Sequence, residues 1–250
     1  MSKLKNILGV SASLAKAGFK LRNEGSYIGI FWYLLEPLLM FVIILSLQNT
    51  LNVTIEKYPI YLLLGLIMFN FFASSTSQAI TMLSSKAKFI KSMKIPHEAL
   101  VISGMLQTTF SHIFEVALLA LVMLWFGIPM FGIIFYPLIF VILFTFSFGI
   151  SLILSTLGVF ISDMNNVWRV LTRLLWFTTP IFYAVRESTL LSKIVSLNPV
   201  YYIISIGRDF VIYGKFNIEF TLVSIIIGII SLAIGLWIFE KHKNKFAEAI

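Results

Sequence analysis

Six apolar stretches, at residues 28–48, 59–82, 99–126, 131–161, 167–183 and 220–239, dominate this chain and leave few folds open to it. Crossing the roughly 30 Å hydrocarbon core of a bilayer takes about 20 residues of helix at about 1.5 Å per residue. Backbone polar groups find no water at that depth, so each stretch is expected to be helical. The expected fold is an all-α polytopic membrane protein with six transmembrane helices. Composition agrees: 59% of the 250 residues are hydrophobic and 12% charged, a balance foreign to soluble domains of this size.

The fifth stretch is the least regular. Trp168, Arg169 and Arg173 stand near its start and Thr178-Thr179-Pro180 near its end. Two apolar pieces too short to span follow, at 190–195 and 200–206. Re-entrant short helices between 185 and 215 are the favoured reading, with a plain extracellular loop as the other.

Sequence before the first span is not a cleavable signal peptide, because Lys5, Lys16 and Lys20 interrupt its apolar positions and no small-residue cleavage site follows. It reads as an amphipathic interfacial helix over 1–26, with Leu4, Ile7, Leu8, Leu14 and Phe19 toward lipid and Lys3, Lys5, Lys16, Lys20 and Arg22 toward phosphate.

Positive charge orients the spans. Lys3, Lys5, Lys16, Lys20, Arg22, Lys86, Lys88, Lys91, Lys94, Arg169, Arg173, Lys241, Lys243 and Lys245 fall on one side; Lys57, Arg186, Lys193, Arg208 and Lys215 fall on the other. Both termini are therefore expected in the cytoplasm, with 28–239 as membrane domain and 240–250 as cytoplasmic tail. The same sorting accounts for the net charge of +8 and removes the motive for a nucleic-acid partner. The chain has no cysteine, and His97, His112 and His242 lack metal-ligand spacing, so neither thiol chemistry nor a metal site is expected.

Several polar features lie within the spans. Glu36, followed directly by Pro37, should face protein or water or else sit shallow beside a basic group. Glu115 raises the same question in the third span, whereas Glu98 suits a first helical turn. Ser147, Ser151 and Ser155, with Gly228 and Gly235, form small faces suited to close helix packing. The block from Ser74 to Gln78 either lines a watered path or approaches the inner surface, and its position favours the second.

Between spans two and three, Lys86, Lys88, Lys91 and Lys94 alternate with Phe89, Ile90, Met93 and Ile95 as a short amphipathic helix ended by Pro96. Such a helix can lie on headgroups or insert into a groove on a cytoplasmic partner. The chain has no GxxxxGK[ST] loop and no convincing internal duplication, so energy for uphill transport would come from a separate subunit. A membrane-embedded enzyme acting on lipid precursors lacks support, since Glu36, Glu115 and Asp163 lie on separate spans. A channel is weaker still, because no selectivity-like polar segment is visible.

The segments YIGIFWYLLEPLLMF, YLLLGLIMFNFFASS, KAKFIKSMKIPHEAL, ISDMNNVWRVLTRLLWFTTPIFY and LNPVYYIISIGRD, in this order, resemble the type-2 ABC exporter permeases that move polysaccharides. The resemblance runs from about residue 16 to 239. Ile28-Gly29 stands where Leu-Gly is usual, and Ser162-Asp163 replaces Arg-Asp, so a basic contact at the fourth inner turn is either missing or supplied by Arg169.

The family implies a homodimer in the bacterial cytoplasmic membrane, joined to two copies of a nucleotide-binding ATPase that holds the ATP and Mg2+; this chain binds no cofactor itself. It implies a lipid-linked glycan of O-antigen, capsule or teichoic acid type as cargo, with a drug or simple lipid as the rival. Lys86, Lys88, Phe89, Ile90, Lys91, Lys94 and Pro96 would couple to the ATPase. Arg22, Arg169 and Arg173 would meet the pyrophosphate headgroup, unless their role is only to orient the spans. Trp32, Tyr33, Glu36, Phe69, Phe72, Trp176, Phe177 and Tyr183 are the substrate-path candidates, the aromatics as flat faces for sugar rings or as ordinary packing groups.

Overall fold

The computed structural model describes residues 2–24, 27, 29–50, 54–86, 95–185 and 189–246. Helix α3 (Tyr58–Ser85) is the axis of the structure. Its first three turns are apolar on every side, and Leu62, Leu63, Leu64, Ile67 and Met68 are all fully buried, as an all-round hydrophobic stretch requires. Against it pack α4 (His97–Trp125) and α5 (Tyr136–Phe160, entered through a 3-10 segment at Met130–Phe135), and α9 (Ile218–His242) packs on α5. Among the described residues, α3, α4, α5 and α9 are the four helices long and apolar enough to cross a membrane.

Small residues set how closely α5 and α9 approach. A Cβ on Gly235 would lie 2.3 Å from the Gly149 carbonyl oxygen, and one on Gly149 would strike the backbone of Ser231. Ser147, Ser151 and Ser155 are fully buried on α5. The packing role expected of these small faces is the observed one.

The remaining two expected spans are shorter than the apolar runs suggest. Helix α2 (Trp32–Ser46) and helix α6 (Met164–Thr178) have 15 residues each, about 22 Å of helix against a core of about 30 Å. A 3-10 turn with Gly29 at φ 53° delays the start of α2, and α6 stops where Thr179-Pro180 turns the chain extended. Helix α6 is also strongly one-sided: Met164 and Trp168 are buried, while Val170, Leu174 and Phe177 are exposed within the protomer.

The bent pair expected ahead of the last span is present. Helix α7 (Leu190–Ser196) and helix α8 (Pro199–Arg208, continuing through a π-turn to Tyr213) meet at 89°. Asn198 makes the corner. Its side-chain oxygen accepts from the Val200 N–H at 3.0 Å, capping α8, and its amide donates to Thr179 Oγ1 at 2.8 Å. Arg208 closes the other end: its guanidinium is 3% exposed and donates to the carbonyls of Pro180 (2.8 Å), Ile181 (3.0 Å) and Tyr61 (3.2 Å). The Arg208 Cζ lies 3.4 Å from the centroid of the Tyr61 ring. Counted by sequence among the loop charges of the far side, Arg208 is a buried structural group and says nothing about sidedness.

Helix α1 (Ser2–Asn23) is amphipathic as expected, and small residues stand beside Leu14 and Phe19 in its seam with α4. Ser11 and Ala15 are fully buried and Gly18 abuts Gln107 of α4, while Leu8 is 51% exposed. Narrow residues let α1 lie flush on α4, so its contact face is protein.

Arg208→Lys keeps the charge but cannot supply three divergent donors. It should lower stability by roughly 3 kcal/mol, given about 1.5–3 kcal/mol for each hydrogen bond to a charged group, read as a fall in thermal midpoint of the purified protein in detergent.

Candidate functional site

Two adjoining cavities on the flank of α3 gather the polar groups of the spans. The first, about 190 Å3, is walled by Glu36, Pro37 and Met40 of α2, Phe69, Asn70 and Ala73 of α3, and Trp176 of α6. The second is only about 40 Å3 and polar, lined by Arg22 of α1, Tyr33 and Glu36 of α2, Asn70 and Ser74 of α3, and His112 and Glu115 of α4. Glu36 and Asn70 border both, so the two form one groove with an apolar-aromatic part and a charged part.

Its floor is a chain of hydrogen bonds within the helical core. Asn70 Nδ2 donates to Glu115 Oε1. The other carboxylate oxygen lies 2.6 Å from His112 Nδ1, and His112 Nε2 lies 2.7 Å from the Tyr136 hydroxyl. A carboxylate facing Nδ1 sets the tautomer that donates there and accepts from Tyr136 at Nε2. His112, Glu115 and Tyr136 are at most 4% exposed, and each polar atom has a partner, which is the condition for keeping such groups in hydrocarbon.

The charged part is less fully paired. Arg22 stacks over the Tyr33 ring at 4.8 Å, and Phe19 packs on that ring at 5.9 Å. The Tyr33 hydroxyl is buried with no hydrogen-bond partner among the described residues. The groove therefore holds a guanidinium, a free hydroxyl and the exposed Glu36 carboxylate beside an already satisfied amide. That set suits a ligand bearing hydroxyls and an anionic group, with Trp176 and Phe69 presenting ring faces next to it.

Of the residues singled out by sequence, Arg22, Tyr33, Glu36, Phe69 and Trp176 come together here. The others do not. Phe72 is 1% exposed, enclosed by Phe146 at 5.5 Å and Trp168 at 6.2 Å, and is corrected to a packing residue. Trp32 and Phe177 are exposed outside the groove, and the Tyr183 hydroxyl donates to the Phe177 carbonyl at 2.8 Å. Arg169 and Arg173 are exposed on α6 and line neither cavity. Lys86 and Pro96 flank the loop between the end of α3 and the start of α4; Lys88, Phe89, Ile90, Lys91 and Lys94 lie outside the described residues.

Asn70, His112 and Tyr136 were not among the sequence candidates. The i,i+3 spacing of His112 and Glu115 places both on one helical face and was a readable signal. Nothing local marks Asn70 or Tyr136, which reach the pair from other helices.

The model of the family described as "ABC-2 type transporter" matches residues 12–212. An "O-antigen export system permease protein RfbA" of Klebsiella pneumoniae is 29% identical over 240 residues, covering 92% of this chain and 91% of that protein. A second protein of that description from the same organism is 28% identical over 240 residues with the same coverage. One from Myxococcus xanthus is 23% identical over 248 residues, covering 97% and 95%.

Glu115→Ala removes the acceptor for both Asn70 and His112 and should cost about 1–3 kcal/mol for each buried donor left unpaired. Glu115→Gln retains one acceptor and should lose less, the two being ranked by thermal midpoint in detergent.

Proposed function

The chain belongs to the ABC-2 type transporter family, and from that membership we propose that it is the transmembrane subunit of an ATP-driven exporter moving a lipid-linked polysaccharide of the O-antigen kind. The observation that carries this reading is similarity over more than nine-tenths of the chain to permeases described as parts of O-antigen export systems. The chain acts as a transport permease, and ATP with its Mg2+ is bound and hydrolysed on a separate subunit.

The groove supports the choice of cargo. Arg22, lying on Tyr33 at the charged end, can make bidentate contacts to a phosphate group. Trp176 and Phe69 offer ring faces beside the Glu36 and Asn70 polar groups, where a sugar can rest on a face and bond at an edge. Weak, repeated contact of this kind favours passage over retention. Binding energy concentrated in one rigid site would oppose it.

The assembly is a homodimer with two ATPase subunits. Supporting it, Leu39, Met40, Val42 and Ile43 of α2 and Val170, Leu174 and Phe177 of α6 are all exposed in the protomer. A single copy therefore encloses the groove only partly, and a second copy would complete the passage. The charge distribution supports cytoplasmic termini in the bacterial inner membrane, with the loop at 86–96 and α1 on the ATPase side.

Reversing the charges of Lys86, Lys88, Lys91 and Lys94 should abolish surface glycan and co-purification with the ATPase while the protein stays folded in the membrane. Export unchanged in that variant would refute the coupling assignment. Accumulation of small amphiphiles, with no glycolipid building up on the inner leaflet of depleted cells, would transfer the cargo to the drug or lipid class.

A further inference from the structure

Three of the four long spans begin at the walls of a third cavity, remote from the groove. Lys57 directly precedes α3, Pro129 and Phe131 lead into α5, and Lys215 and Phe216 precede α9. Its volume is about 390 Å3. Where helices enter hydrocarbon is where lipid headgroups lie, so the cavity sits at headgroup depth on the boundary opposite the one where α3 and α5 end.

The backbone around it is closely specified. Lys57 has φ 54° and is the one non-glycine residue with positive φ among the described residues, a conformation that L-residues occupy at a cost. Gly214 has φ 61°, and a Cβ on Gly132 would lie 2.2 Å from the Val211 carbonyl oxygen. The left-handed turn at Lys57 directs its ammonium across the cavity, where it donates to the Ile212 carbonyl at 3.2 Å and lies 6.0 Å from the Tyr213 ring centroid. A second cation, Lys215, lines the same space, and among the described residues no acidic side chain does. Two acids stand nearby: the Asp209 carbonyl accepts from Lys215 N–H at 2.8 Å while its carboxyl lies within electrostatic reach of Lys215, and the Glu56 carbonyl accepts from the Tyr213 hydroxyl at 3.2 Å. At the rim, Phe131 is 70% and Phe216 60% exposed.

We propose that this cavity binds the phosphate headgroup of an anionic membrane lipid, Lys57 and Lys215 meeting the phosphate and Phe131 and Phe216 bordering the acyl chains. The pairing of a cationic interior with an apolar rim at headgroup depth selects an amphiphile over a free anion. The proposal depends on the spans alone and stands apart from the cargo assigned to the groove.

The test is retention of lipid by the purified full chain after incubation with vesicles of equimolar phosphatidylglycerol and phosphatidylcholine, quantified by mass spectrometry. The wild type should enrich phosphatidylglycerol, and Lys57→Gln with Lys215→Gln should lose about fivefold per lysine. Lys241→Gln with Lys245→Gln, at the opposite boundary, should keep the enrichment, and Phe131→Ala with Phe216→Ala should reduce it. Lys215 is exposed, so Lys215→Gln alone supplies the result if the double variant loses helicity or aggregates. Equal enrichment in wild type and lysine variants overturns the proposal. Full displacement by millimolar inorganic phosphate, with enrichment unaffected in the phenylalanine variant, overturns it in favour of a free-anion site.

Discussion

An arginine with no carboxylate partner, enclosed among apolar helices, is the interaction on which the far end of this structure depends. Arg208 brings five N–H donors into a region where an unpaired charge costs several kcal/mol. Carbonyls answer it. Those of Pro180 and Ile181 accept from the guanidinium because the chain leaves helical geometry at Thr179 and has no internal use for them. The Tyr61 carbonyl and ring supply the third side. Space is made by Gly65, where a Cβ would come within 2.5 Å of Arg208 Nη2. Each partner looks like a local irregularity taken alone; together they fix α8 against α3 and fix the end of α6 beside it.

That interdependence explains what could be read from the sequence. Helices α3, α4, α5 and α9 follow from apolar run length, since a chain in hydrocarbon must satisfy its own backbone and can do so only as helix. The lengths of α2 and α6 did not follow, because they are cut by Gly29 and by Thr179-Pro180, and hydropathy continues past both. On α1, Leu14 and Phe19 make apolar contacts as their hydrophobicity suggests, but the part played by Ser11, Ala15 and Gly18 in closeness to α4 is a property that hydrophobicity ranks below the leucines. In the groove, Glu36 and Glu115 were legible as carboxylates within apolar spans and Tyr33, Phe69 and Trp176 as ring faces suited to sugars, whereas the i,i+3 pairing of His112 with Glu115 was a signal present but not used. Asn70 and Tyr136 were invisible because their meaning lies in contacts across 45 and 24 residues of chain.

Packing divides the protein into a rigid part and a lightly held part. Where α5 meets α9, backbones touch through Gly149, Ser231 and Gly235, and interiors packed at that density resist small displacements. On the opposite flank, α2 and α6 bury few residues in the protomer. The groove lies at the join, with α3 and α4 giving it a fixed polar floor and α2 and α6 giving it movable apolar walls. A site that must hold a ligand and then release it is served by that asymmetry, because the walls can shift without breaking the chain from Asn70 through Glu115 and His112 to Tyr136.

Helix α6 is held chiefly at its ends. Near its start Trp168 Nε1 donates to Thr76 Oγ1 at 3.1 Å and the indole meets Phe72; beyond its last turn Thr178 and Thr179 receive the Asn198 amide at 3.2 and 2.8 Å. Between those anchors its outward face has no partner in the protomer. The turn around Asp163 and the corner at Asn198 are joined by this one helix, and the corner adjoins Pro180, whose carbonyl accepts from Arg208 of α8. Of the residues that interrupt the fifth apolar run, Trp168, Thr178 and Thr179 supply these anchors, whereas Arg169 and Arg173 stay exposed along the helix.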